Sequence, residues 1–299
     1  MSSAVEPIDP NPVDTEAMGR RILEQAFEIW INPEIERRRT EGNLTDEFVL
    51  RAAQRLQRPD GVNEVRINEE VRGIAFVRDV SDRGLGDPVY YSDLNELETF
   101  DLLEEDLDCG HWTVIWTGTR WLTSFNFLSN RGRCLDLLGK ARQFLEAACA
   151  ARDLGHAAVA VDTLFSACEL ASKAELVASH LLELDTRKHA AIATKLNSWR
   201  KLGNIDGAFV DLFNRLGRIR GLYRYDPGQS EAMPVTQDDL DVVDQVISSA
   251  TSRVAPLAPE RERRAMRRRR HWSGRETGEQ LALGLSVAPS LKRTDHGRR

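Results

Sequence analysis

No stretch of this 299-residue chain approaches the roughly 20 consecutive apolar residues that crossing a bilayer requires. Its four cysteines, Cys109, Cys134, Cys149 and Cys168, include no Cys-x-x-Cys pair and no metal-ligand spacing. They read as ordinary thiols of a reducing compartment. Residues 1–10 lack both the basic start and the apolar centre of a secretory signal. There is no internal repeat. These absences argue against membrane insertion and secretion, and the sequence points to the cytoplasm.

What is present suits two ordinary domains, with 41% hydrophobic and 29% charged residues over a length that exceeds one typical domain. The net charge of −6 hides an asymmetry. From Pro256 to Arg299 there are 12 Lys/Arg against 5 Asp/Glu, so this segment carries +7 and the rest of the chain −13. The body is acidic, and the polyanion bias is confined to the end of the chain.

Residues 1–15 are rich in Pro, Asp and Ser and predict disorder. A helical pattern runs from Glu16 through Ile22, Leu23, Phe27 and Trp30 and stops at Asn32-Pro33. A second helix is expected from a cap at Thr45 through Phe48, Ala52 and Leu56. Pro59-Asp60-Gly61 then turns the chain, and the period changes to two. Val65 and Ile67, then Ile74 and Phe76, suggest one hairpin. A clearer one places Trp112, Val114 and Trp116 on one strand face, turns at Thr117-Gly118-Thr119, and continues with Trp121, Thr123, Phe125 and Phe127. Between the two, residues 96–108 carry seven acidic side chains. Residues 16–128 are therefore expected to be an α+β domain with a small, mostly antiparallel sheet.

Beyond Asn130 the period is helical, and residues 130–255 predict an all-α bundle of about five helices. The first aligns Leu138, Ala141, Leu145 and Ala148 and ends at Leu154-Gly155. The second, from about His156 to Leu182, is apolar nearly all round, as in a helix buried between neighbours. Its polar line is Asp162, Ser166, Glu169 and Lys173, in which Glu169 and Lys173 have the spacing of an ion pair. Thr186 is the expected cap of the third, with Ile192, Ala193, Leu196 and Trp199 inward and Gly203 at its end. The fourth runs from about Asp206 to Tyr225, with Ala208, Leu212, Leu216, Ile219 and Tyr223 on one stripe. The fifth opens with Thr236 and Asp239 in capping-box spacing and buries Leu240, Val243, Ile247, Ala250 and Val254. Pro256 and Pro259 end the ordered part, and residues 256–299 predict a disordered basic tail.

The second helix's Ser166-Ala-Cys-Glu-Leu-Ala-Ser-Lys-Ala174, the Lys188-His-Ala opening of the third and the Arg218-Ile-Arg-Gly-Leu-Tyr-Arg-Tyr225 end of the fourth together resemble the HEPN superfamily (higher eukaryotes and prokaryotes nucleotide-binding). The likeness covers about 125 of 299 residues and leaves the N-terminal half unrecognised. It implies RNA-directed biology, in settings such as defence, toxin–antitoxin systems or stress response, and a homodimer formed through the second and fourth helices. It calls for no cofactor. Active members are metal-independent ribonucleases with an Arg, four to six residues and then a His, often followed by x-Tyr. A group titrating near neutrality moves the 2′-hydroxyl proton, and an arginine fork holds the phosphate.

Laid on this chain, Arg218 takes the Arg position, Tyr223 the His position and Tyr225 the trailing Tyr. The missing histidine matters, because a phenol with a pKa of about 10 is a poor base at neutral pH. Tyr223 also lies on the apolar stripe, so a core tyrosine competes with a catalytic or RNA-contacting one. Arg215 and Arg218 share a flank; Arg220 and Arg224 lie about 200° from Arg218 at 100° per residue. A solvated or ion-paired face therefore competes with phosphate contact by Arg218. His189 reads as a packed residue at a helix start. Asp106, Asp108, Cys109 and His111 crowd together but lack metal-ligand spacing, so no metal is expected. Trp112, Trp116, Trp121, Phe125 and Phe127 fit a sheet core better than a base-stacking platform. The run containing Arg267, Arg268, Arg269 and Arg270, followed by His271 and Trp272, is the one segment biased toward polyanions.

Three expectations follow. The first is a non-catalytic or atypical HEPN-like, RNA-associated protein. The second is an interaction scaffold whose residues 16–128 bind a partner. The third is a metal-independent endoribonuclease using Arg218.

Overall fold

The computed structural model describes residues 14–77, 97–226, 233–257 and 284–289. The expected disorder over residues 1–15 and 256–299 falls mostly outside these, as do Arg267 to Arg270.

The chain opens with helix α1 (Thr15–Ala26), capped by Asp14, whose Oδ1 accepts from the Ala17 N–H at 3.0 Å. The helix does not stop at Asn32-Pro33 as the sequence suggested. It widens into a π turn (Phe27–Ile31) and resumes as α2 (Asn32–Thr40), with Pro33 in the first turn of α2. Proline lacks a backbone donor and its ring crowds the turn before it, and the widened π turn sits directly ahead of Pro33.

The helix expected over Thr45–Leu56 is replaced by an irregular stretch and strand β1 (Ala52–Gln57). β1 pairs antiparallel with β2 (Asn63–Ile67) on one side and β5 (Gly110–Trp116) on the other. Residues 52–56 are all buried. Ala53 faces the layer of α1, the π turn and α2; Ala52 and Leu56 face the second sheet. Helix propensity is a weak preference, and burial on both faces overrides it here.

The first expected hairpin is also corrected. β2 and β3 (Arg72–Val77) are neighbours in sequence but belong to different sheets. Asn68, at φ +48°, turns the chain between them. Its side chain accepts from the Arg51 and Ala52 N–H groups and donates to the Val49 carbonyl. An asparagine with both amide ends engaged holds a left-handed turn that a simple hairpin does not need.

The second hairpin forms as expected. β5 and β6 (Trp121–Asn126) pair with Trp116 opposite Trp121 and Trp112 opposite Phe125, and Gly118 takes φ +93° in the turn. The larger sheet has the order β2-β1-β5-β6 and is wholly antiparallel. The smaller has the order β4-β3-β7, with β4 at Leu97–Asp101 and β7 at Gly284–Pro289. β7 runs parallel to β3, with Ile74 opposite Ser286. These six residues lie in the segment expected to be disordered. Alternating Leu285 and Val287 suit a strand, and the free edge of β3 supplies the partner.

Five helices follow: α3 (Arg131–Asp153), α4 (Ala157–Ala178), α5 (His189–Lys201), α6 (Gly207–Tyr225) and α7 (Gln237–Val254). The expected inward faces of α3 and α7 are the buried ones. α4 is the central helix, with 13 buried residues. α7 carries its capping box, Thr236 to the Asp239 N–H and Asp239 back to the Thr236 N–H. Two details differ. Lys188, not Thr186, precedes α5, and the Thr186 N–H is spent on the Glu183 carbonyl in the connecting turn. Ala208 is exposed, while Phe209 and Phe213 fill the core in its place. Among the described residues, no helix is long and apolar enough to cross a membrane.

A buried ion pair joins sheet and bundle. Arg131, at the start of α3, and Asp101, at the end of β4, are 2% and 3% exposed. The guanidinium grips the carboxylate at 2.7 and 3.3 Å and also donates to the Val254 and Ala255 carbonyls at the end of α7. Asp101 accepts in turn from the Leu102 and Leu257 N–H groups. Breaking one half leaves a buried charge uncompensated, which costs about 3–5 kcal/mol. Arg131→Ala is expected to lower unfolding free energy by that amount in urea titration. Asp101→Leu/Arg131→Met is expected to recover part of it; a loss below about 1 kcal/mol for the single variant would show that the pair is dispensable.

His111 gives the sheet a pH signature. It is 1% exposed; Nδ1 meets the Thr113 hydroxyl at 3.0 Å and Nε2 has no partner among the described residues. Burial pushes its pKa down from 6.5 to about 4, partly offset by Asp101. Below pH 6.5 the unfolded chain takes a proton that the folded protein refuses, so stability falls as pH drops from 6.5 toward about 4. Glu34, held at about 2 by the Arg37 hydrogen bond foremost and the Arg38 hydrogen bond next, contributes stability that is fully present above pH 4.5 and is lost as pH falls from there toward about 2. His111→Asn is expected to flatten the stability curve between pH 6.5 and 4. An unchanged slope there would exclude His111 as its source.

Candidate functional site on α4, α5 and α6

The buried positions of α4 leave one polar line facing the groove between α5 and α6. Asp162, Ser166, Glu169 and Lys173 recur every three or four residues on it, so the helical repeat stacks them. The neighbouring helices complete the constellation. Arg220 of α6 donates through Nε to Asp162 at 2.5 Å, and Arg224, one turn later, approaches the other oxygen at 3.5 Å. The Arg220 guanidinium also lies over the Phe165 ring, 4.9 Å from its centroid. The same ring stacks on Phe213 at 5.3 Å and meets the His189 ring at 6.2 Å. A Cβ at Gly217 would stand 3.3 Å from Phe165, so the glycine leaves that ring its room.

Glu169 corrects one expectation. It does not pair with Lys173; its carboxylate contacts Nδ1 of His189. The glutamate side chain is 17% exposed and the imidazole 63%. An ionised carboxylate accepts only, so Nδ1 carries the proton and Nε2 is the basic nitrogen. Lys173, half-buried on the same face, has no carboxylate partner among the described residues. His189 is therefore an exposed polar member of this face at the start of α5, not the packed residue the sequence suggested. The sequence showed each partner, but only the helix packing shows the pairing.

The four α6 arginines separate. Arg215 is spent on structure: it binds the Asp239 carboxylate at 2.5 Å and the Pro234 carbonyl at 3.0 Å, tying α6 to the start of α7. Arg220 and Arg224 share Asp162. Arg218 is exposed and has no hydrogen-bond or ion-pair partner among the described residues. Near it on the outer face of α6 are Leu222, 49% exposed, and Tyr225, 78% exposed. Tyr223 is half-buried and packs against the bundle core, as its stripe position implied.

The other candidates disperse. Asp106 is bound by Arg66 at 2.5 and 3.0 Å, and Asp108 accepts from the Gly132 N–H at 2.7 Å at the start of α3. Cys109 and His111 are buried, and no group of three metal-ligating residues forms among the described residues. Burial pushes the Cys109 thiol up to about 11 and Cys134 to about 12, and raises Cys168 further, so none of the three is a ready nucleophile. The aromatic set splits. Trp112 is core, flanked by Phe27 and Trp30, whereas Phe125 and Phe127 stack on each other at 5.5 Å and remain exposed.

The tautomer of His189 is open to measurement. In imidazole ¹⁵N spectra at about pH 8, above the ordinary histidine range, the wild-type ring is expected to carry its proton on Nδ1. Glu169→Leu is expected to move it toward Nε2, and an unchanged spectrum would show that Glu169 does not orient the ring. No protein-family model and no curated protein matches this chain.

Proposed function

We propose that this protein is a HEPN-like, RNA-associated protein of non-catalytic or atypical type, contacting phosphate through Arg218. The observation that carries this reading is the isolation of Arg218. Arg215, Arg220 and Arg224 are each engaged by a carboxylate, while Arg218 projects outward unpaired among the described residues at the position of the family's arginine. An unpaired guanidinium is free to form bidentate bonds to phosphate. Tyr225 beside it offers an exposed ring for stacking on a base. Arg267, Arg268, Arg269 and Arg270 would add a non-specific electrostatic contribution. The same face of α6, with exposed Leu222 and Tyr225, suits pairing of two copies through α4 and α6. The four free cysteines agree with a cytoplasmic setting.

A second reading is favoured by one feature of the N-terminal half. A groove of about 640 Å³ runs between α1 and the β5–β6 hairpin, lined by Ile22, Leu23, Trp116, Trp121 and Phe125. It borders β6, an outer strand of its sheet. A protein partner adding an extended segment there would make the molecule an interaction scaffold.

Binding of single-stranded RNA, followed across salt concentrations, separates the two. Arg218→Ala is expected to weaken binding similarly for unrelated sequences and to reduce the salt slope by about 1. Alanine at Arg267 to Arg270 is expected to reduce the slope by several. Absence of RNA binding by the wild type, with capture of a protein partner that requires residues 16–128, would favour the scaffold.

A further inference from the structure

We infer that Arg55 and Trp112, side by side beneath the π turn, form a binding site for a small carboxylate. The site lies in the N-terminal half and owes nothing to the RNA-associated reading above. Five ionised side chains are buried among the described residues: Arg55, Asp101, Asp106, Arg131 and Glu175. Four of them have an opposite charge, Asp101 with Arg131, Asp106 with Arg66 and Glu175 with Arg253. Arg55, 8% exposed, has none among the described residues. A guanidinium stays protonated in proteins, so this charge is held out of water without a counter-ion. Burial pushes its pKa below the usual arginine value. A buried charge left alone is strongly destabilising, and buried ions are ordinarily paired.

Arg55 stands on β1 opposite Trp112 on β5, and strand alternation puts both on the face covered by the π turn. The Arg55 guanidinium lies 4.7 Å from the Trp30 ring centroid, and Phe27 and Trp30 both pack on Trp112. Two N–H groups of this cluster are buried with no acceptor among the described residues, Nε of Arg55 and Nε1 of Trp112. The rest of the guanidinium meets only neutral amide oxygens, Gln57 Oε1 at 3.3 Å and Asn63 Oδ1 at 2.5 Å.

Unused donors on adjacent strands, beside an uncompensated cation, call for a negative acceptor with more than one oxygen. A carboxylate is that group, and its single charge cancels the charge of Arg55. A metal ion would meet donors and a like charge, and a phosphate dianion would carry more charge than one guanidinium neutralises. The flanking aromatic rings suit an apolar body behind the carboxylate. Entry lies at the end of the sheet where Asn63 is exposed and Gln57 and Trp30 are half-buried. There an ionised oxygen displaces a neutral amide from the guanidinium, because the charged hydrogen bond is the stronger.

The test is a titration of full-length, ¹⁵N-labelled protein with butyrate, against sodium chloride at matched ionic strength. The Nε–H resonance of Arg55 and the indole N–H resonance of Trp112 are expected to shift along one saturation curve. Tm is expected to rise with butyrate concentration. In Arg55→Met the Trp112 shift and the rise in Tm should both vanish. Its Tm without butyrate should exceed that of the wild type, since an apolar side chain replaces an unpaired buried charge. Arg55→Lys, which keeps the charge and loses the planar fork, should weaken binding about tenfold or more; it serves should the methionine protein fail to fold. A tripeptide with a free terminal carboxylate is run beside its amidated form. Tighter binding of the free-ended peptide than of butyrate identifies the carboxylate as a partner's chain end, and the reverse order identifies a free acid. Resonances unmoved by both to about 10 mM, tenfold above a millimolar Kd, overturn the inference. So does tighter binding of inorganic phosphate, or a butyrate response that survives in Arg55→Met.

Discussion

The Arg131–Asp101 pair is the joint on which the arrangement of the molecule depends. A guanidinium and a carboxylate, both almost fully withdrawn from water, are tolerable only when nearly every donor and acceptor is used. Here they are used across four parts of the chain: the end of β4, the start of α3, the end of α7 and the residues just after it. Asp108, accepting at the start of α3, and His180, bonded to the Phe127 carbonyl, reinforce the same seam. Sheet and bundle therefore share a polar core of fixed geometry, where an apolar seam would tolerate sliding.

From that seam the bundle is organised around α4. A helix buried on most of its circumference has little room for polar side chains, and those it keeps fall on one line. Each carboxylate on that line is met by a cation or imidazole from a neighbour, Asp162 by α6 and Glu169 by α5. The result is a surface on which these carboxylates are neutralised in pairs. Arg218, on the outer face of α6, stands outside these pairings among the described residues.

Much of this was legible along the chain. Apolar spacing located all five bundle helices, including the inward residues of α3 and α7, and the β5–β6 hairpin with its turn. The failures share a cause. Ala52–Leu56 has helix-forming residues but lies between two strands and under two layers, and neighbours outside the local window decided its conformation. β2 and β3 look like a hairpin because alternation reports strands without reporting their partners. Pro33 suggested a stop, yet a widened turn carries the helix axis onward.

The site divides the same way. The sequence by itself determined the period of each segment, the ends marked by Gly155, Gly203 and the Thr236–Asp239 box, and the presence of arginines at the end of α6. These are local properties, set by neighbours within a turn or two. Only the tertiary structure decided which charges cancel. Glu169 had a correctly spaced lysine on its own helix and took a histidine 20 residues away instead. Asp162 gathered two arginines about 60 residues downstream. Pairing of charges across helices depends on packing angles and burial, quantities that no stretch of sequence contains.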